Sequence, residues 1–160
     1  MGEEKYPNRW LFVGAAILMQ LCLGNLYTWS IFRDPLMKMH GWTIQQATLT
    51  YSLSIAFFAL GVIVAGRWQD KVGPTRVALV GGVLLGIGFI LASLIGNTLP
   101  GLYFSYGVVA GLGVGFAYVT PIATCVKWFP DMRGFITGLA VLGFGAGTMI
   151  GAPLGSALIN

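Results

Sequence analysis

The feature that most constrains this chain is where its charges are missing. All nine Lys and Arg residues and all five Asp and Glu residues lie outside five apolar stretches, at about residues 10–32, 45–65, 77–95, 102–126 and 135–159. A helix needs about 20 mostly apolar residues to cross a bilayer, and the five stretches are of that order. An unpaired charge in hydrocarbon costs several kcal/mol, so this segregation is what a membrane imposes on a sequence. Charged residues make up only 9% of the chain, against about a quarter in a soluble domain. That balance excludes an ordinary water-soluble enzyme or nucleic-acid binder. The chain reads as an all-α, multi-pass protein of the cell (plasma or inner) membrane, whose partner is the lipid bilayer and not nucleic acid.

The breaks carry the turn and charge signals: Arg33–Trp42, Gly66–Arg76, Gly96–Pro100 and Lys127–Gly134. Placing the N-terminus in the cytoplasm puts Lys5, Arg9, Arg67, Lys71, Arg76, Lys127 and Arg133 inside and only Arg33 and Lys38 outside. That asymmetry obeys the positive-inside rule. The first apolar stretch is too long for a cleavable signal peptide and lacks a small-residue cleavage site. Two cysteines without a Cys-x-x-Cys pair and one histidine leave little material for a metal site or disulfides, and no cofactor is expected. Cys22 and Cys125 read as packing residues, and His40 as a solvated loop residue.

Glycines set the next constraint. Gly107, Gly111 and Gly115 recur every four residues in the fourth stretch, as do Gly143, Gly147, Gly151 and Gly155 in the fifth, with Pro153 among them. Residues four apart share one helix face, so each ladder makes a groove that admits a neighbouring helix closely. There is also an internal echo. Gly24-Asn25-Leu26-Tyr27-Thr28 in the first stretch matches Gly115-Phe116-Ala117-Tyr118-Val119-Thr120 in the fourth through Gly-x-x-Tyr. Carriers built from three-helix inverted repeats bind substrate near the midplane, at the interface between repeats, so Tyr27, Tyr118 and the adjoining Asn25 are candidate cavity residues. Gln20, Gln45 and Gln46 fit either the cavity or bonds between helices. Trp29 fits either the cavity or an outer aromatic belt.

The segment Gly66-Arg67-Trp68-Gln69-Asp70-Lys71-Val72-Gly73-Pro74-Thr75-Arg76 is the most specific in the chain. Its G-x-x-x-D-(K/R)-x-G-(P/R)-x-R pattern resembles the signature loop of the major facilitator superfamily. Gly66 is expected to allow close helix contact, Gly73-Pro74 a tight turn, and Asp70 to meet a helix N-terminus or an arginine. Gly66, Asp70, Lys71, Gly73 and Arg76 then form a conformational latch. Gly138, Gly147, Gly151, Pro153 and Gly155 are similar to the fifth-helix motif of the superfamily's antiporters, with Ala152 as an extra residue before the proline. Gly107 stands where drug-efflux branches carry an arginine. The resemblance implies residues 1–160 as a partial N-terminal transmembrane domain: a major facilitator-type helical bundle with five of the six helices of its first half. Gly111, Gly115, Gly147, Gly151, Pro153 and Gly155 are its helix-packing residues.

Asn8-Arg9-Trp10, Tyr27-Thr28-Trp29-Ser30 and Lys127-Trp128-Phe129-Pro130-Asp131-Met132-Arg133-Gly134 together resemble the oxalate/formate antiporter family and, more widely, the monocarboxylate transporters. The resemblance implies movement of small carboxylates by alternating access, through exchange or proton coupling. Aromatic residues from the first and fourth helices line the cavity in that family, which matches Tyr27 and Tyr118. Leu26 is apolar where a dicarboxylate carrier can be polar, which favours a monocarboxylate. A buried carboxylate needs a cation or several donors, and no Arg, Lys or His falls within the five stretches. The cation is therefore expected from the C-terminal half of the same carrier. Alternatives are a superfamily carrier for sugars or drugs, or a non-transporting receptor on the same fold. A membrane-embedded enzyme is disfavoured, since the stretches hold no carboxylate, histidine or basic group.

Overall fold

The computed structural model describes residues 9–159; Glu3, Glu4, Lys5 and Asn8 lie outside the described residues. Five helices are long and apolar enough to cross a membrane, and no strand occurs among the described residues. They are α1 (Arg9–His40), α2 (Ile44–Val72), α3 (Pro74–Ile95), α4 (Leu99–Trp128) and α5 (Arg133–Ile159). The chain is thus an all-helical, multi-pass membrane bundle.

The helices run further than the apolar stretches do. Asp34-Pro35 does not end α1, which continues to His40 with Pro35 inside it. It stops where Gly41 takes a left-handed conformation (φ 67°) and its N–H bonds the Met37 carbonyl. Thr43 then opens α2 with a reciprocal capping box to Gln46, in which each side-chain oxygen accepts from the other residue's otherwise orphaned backbone N–H. The expected break at Gly66–Arg76 shrinks to one residue. Gly73, at φ 89°, closes α2 and precedes α3, which starts with Pro74. A non-glycine residue there would be strained, and proline at the first helical position gives up an N–H that has no partner in the helix anyway.

Two helices depart from regular α geometry. In α1, Gly24–Thr28 is wound as a 3-10 turn between Arg9–Leu23 and Trp29–His40. In α4, Tyr103–Ala110 is widened into a π-helix.

Packing follows the glycines. Along α4, Gly107, Gly111 and Gly115 face α2: a Cβ on Gly111 would meet Ser54 Cα at 3.1 Å, and one on Gly115 would meet Gly61 Cα at 2.9 Å. Gly113, on another face of α4, meets Gly81 and Leu85 of α3, and Gly88 meets Ala110. Along α5, Gly143, Gly147, Gly151 and Gly155 face α1 at Ile17, Gly24, Asn25 and Phe32. Pro153 is exposed within an uninterrupted α5. Gly66 differs from expectation: a Cβ there would meet nothing within 4 Å, so it makes no close helix contact here.

At the N-terminal end of α1, the Trp-Phe-Pro-Asp turn folds back onto that helix. Phe129 is fully buried between the Trp10 ring (centroids 5.2 Å) and the Arg9 guanidinium, 4.6 Å above its ring. Arg9 also donates to Asp131 at 3.4 Å, and Phe12 stacks on Trp128. The ion pair is half exposed on both sides, so the apolar burial of Phe129 dominates this junction.

Gly113→Ala should destabilise the bundle by about 1–3 kcal/mol, because the backbones of α3 and α4 must separate. Gly82→Ala, in open space, should be neutral or gain up to about 1 kcal/mol from lost backbone entropy. Thermal denaturation in detergent distinguishes the two.

Candidate functional site

The two echoed tyrosines meet on a third residue. Tyr27 packs edge-on against Phe144 of α5 at 5.2 Å, and Tyr118 packs edge-on against the same ring at 4.9 Å. Phe58 of α2 closes the group, edge-on to Tyr118 at 5.2 Å and stacked with Phe144 at 6.2 Å. Phe144 is buried at 5% exposure, whereas Tyr27 is 42% exposed. The rings thus form a floor, and Tyr27 stands at its open side. Neither the Tyr27 nor the Tyr118 hydroxyl has a hydrogen-bond partner among the described residues, in contrast to Tyr103 and Tyr106, which donate to the Gln46 and Leu26 carbonyls. Tyr51 of α2 lines a pocket together with Tyr27.

The local winding explains how the floor is built. Asn25, Leu26 and Tyr27 are consecutive in the 3-10 turn, where each step turns the side chain by about 120°. They therefore point three ways. Tyr27 faces the aromatic floor. Leu26, expected at the substrate, is instead buried at 3% exposure with Trp29 and Tyr106 in the core. Asn25 bonds the Cys22 carbonyl, abuts Gly151 and lines a separate 540 Å³ cavity walled by α1 and α5 with Phe89 of α3 and Tyr106 of α4. Gln20 is fully buried and donates to the Tyr118 carbonyl at 3.3 Å, tying α1 to α4 beneath the floor. It is a bond between helices, not a cavity residue.

Other expectations change in the same way. Trp29 is buried at 5% exposure against Tyr106 and also borders the pocket beside Tyr27, so it does not stand in an outer belt. Cys22 is exposed on α1 and does not pack internally, whereas Cys125 is buried. His40 is stacked on Trp42 at 4.5 Å and so is only partly solvated. Asp70 and Lys71 lie on the last turns of α2, exposed, with Arg76 across the Gly73 junction; Asp70 has no ion-pair partner among the described residues.

Arg33 stands one residue past the first apolar stretch, which ends at Phe32, so the stretches themselves stay free of cations. It belongs to the uninterrupted α1, six residues beyond Tyr27, and lines a 250 Å³ pocket with Tyr27, Trp29, Ser30, Thr48 and Tyr51. Phe144, Phe58 and Tyr51 are site residues that the sequence reading misses, because they come from two other helices and carry no motif.

Comparison with known proteins agrees with this architecture. The Major Facilitator Superfamily profile matches residues 10–160. An uncharacterized MFS-type transporter of Escherichia coli, YhjX, is 36% identical over 89% of this chain and 35% of its own length. The oxalate:formate antiporter of Oxalobacter formigenes is 31% identical over 96% of this chain and 36% of its own length. Monocarboxylate transporter 13 of Rattus norvegicus is 28% identical over 94% of this chain and 35% of its own length. The chain spans about a third of the length of these relatives.

Tyr106→Phe removes the bond to Leu26 and should cost about 0.5–1.5 kcal/mol. Tyr118→Phe removes a hydroxyl with no protein partner and should leave the melting temperature within error. Equal losses in the two variants would contradict the assignment of Tyr118 to an open site.

Proposed function

Since the chain belongs to the major facilitator superfamily, we propose that it forms part of a secondary active transporter that moves small carboxylates by alternating access. The observation that carries this reading is the convergence of Tyr27 and Tyr118 on Phe144, with both hydroxyls unpaired beside an open face. An aromatic floor with free donors suits a small planar anion: the rings supply shape, and the hydroxyls replace water. Two of the matched relatives are named for oxalate and formate exchange and for monocarboxylate transport, which points to the same substrate class.

Each hydroxyl contributes about 0.5–1.5 kcal/mol net, too little to hold a desolvated carboxylate alone. In this reading the principal counter-charge comes from the C-terminal half of the carrier, which closes over the floor. The N-terminus is cytoplasmic by the distribution of basic residues. The Asp70, Lys71 and Arg76 cluster then acts at the cytoplasmic surface. There it engages a partner in one conformation and lies free in another.

Uptake of labelled formate, oxalate, lactate or pyruvate into proteoliposomes containing the complete carrier tests the assignment. At least one should be accumulated down an imposed substrate or proton gradient, and failure of all four would defeat it. Tyr118→Phe should raise KM several-fold, consistent with the loss of about 1 kcal/mol of binding. Asp70→Asn should lower the maximal rate more than it raises KM. A pure affinity loss would remove Asp70 from the latch.

A further inference from the structure

The pocket around Arg33 extends the carboxylate-carrier reading and rests on it. We propose that Arg33 is a carboxylate-capturing residue, forming with Trp29, Ser30, Thr48 and Tyr51 a binding station that feeds the Tyr27–Tyr118 floor. Three observations place it there.

The first is the guanidinium's hydrogen bonding. Its Nε donates to Asp34 at 2.9 Å, and no bond to either terminal nitrogen occurs among the described residues. Neighbours one apart on a helix do not face each other. Accordingly the Asp34 side chain is 61% exposed while that of Arg33 is 33% exposed against the pocket. Asp34 steadies one edge of the group and leaves the two-pronged edge free, which is the edge that matches the two oxygens of a carboxylate.

The second is an orphaned donor. Trp29 is buried at 5% exposure and lines the same pocket, yet its Nε1–H has no hydrogen-bond partner. A buried donor left unmade is costly, and it serves an anion once the indole turns toward the pocket. Ser30 of α1 and Thr48 of α2 also line it.

The third is continuity. Tyr27 lines this pocket and also packs on Phe144. Six residues of helix separate Tyr27 from Arg33, roughly 9 Å along the axis. An anion held at Arg33 thus shares a pocket with Tyr27 of the aromatic floor, and the pocket volume of 250 Å³ admits a small carboxylate with part of its water.

The test uses the complete carrier in proteoliposomes, with initial rates of labelled formate, oxalate, lactate and pyruvate uptake. Arg33→Gln should raise KM about tenfold or more, as expected for loss of a charge-assisted bidentate contact, while the maximal rate stays within about twofold. Arg33→Lys keeps the charge but not the fork and should raise KM by a smaller factor, about threefold or more. Where Arg33→Gln melts well below the parent protein, Arg33→Lys decides. A folded variant with parental KM overturns the capturing role and leaves the carrier reading intact. Absence of uptake by the parent protein defeats the carrier reading itself, and this inference with it.

Discussion

Close approach of helix backbones is the interaction on which the rest of this structure depends. Inside a bilayer the lipid tails are as apolar as the side chains, so helices are held by contact and not by exclusion from water. Contact requires surfaces without protruding side chains, and the pairs Gly61 with Gly115, Gly81 with Gly113, and Gly24 with Gly147 supply them. The functional geometry follows from these seams. Gly147 lets α5 lie directly on the Gly24 turn of α1, which brings Phe144 under Tyr27. The α2–α4 seam at Gly61 and Gly115 sets Phe58 against Tyr118. The aromatic floor is a by-product of glycine packing on two sides of one half-bundle.

Much of the fold was legible because a membrane writes its demand linearly. Charges excluded from long apolar runs identify the helices, and four-residue glycine spacing identifies the packed faces. Element ends were harder to read. Asp34-Pro35 and the charged run before Gly73 look like loops in composition, yet helices tolerate them. The true stops are conformational: a left-handed Gly41 followed by the Thr43–Gln46 capping box, and a single positive-φ Gly73. Both signals stand in the sequence, but the larger charge signal masks them. This is why Arg33 reads as a loop residue and not as part of α1.

The site was legible in part and for a different reason. The echo of Gly-x-x-Tyr singles out Tyr27 and Tyr118, whose rings both pack on Phe144. Adjacent residues were harder to assign, because three consecutive side chains on a helix cannot all face one cavity, and Leu26 turns inward while Asn25 turns toward α5. Phe144 and Phe58 could not be found from spacing at all, since their role exists only when three helices converge. A buried amide such as Gln20 is ambiguous in sequence for the same reason. Its hydrogen bond to the Tyr118 carbonyl is made by tertiary placement.

The one-residue link at Gly73 carries a mechanical corollary. Two rods joined through one glycine share a swivel, and any change in the angle between α2 and α3 has to be taken up by that residue's φ and ψ. A side chain at this joint would stiffen it, because a φ of 89° favours glycine.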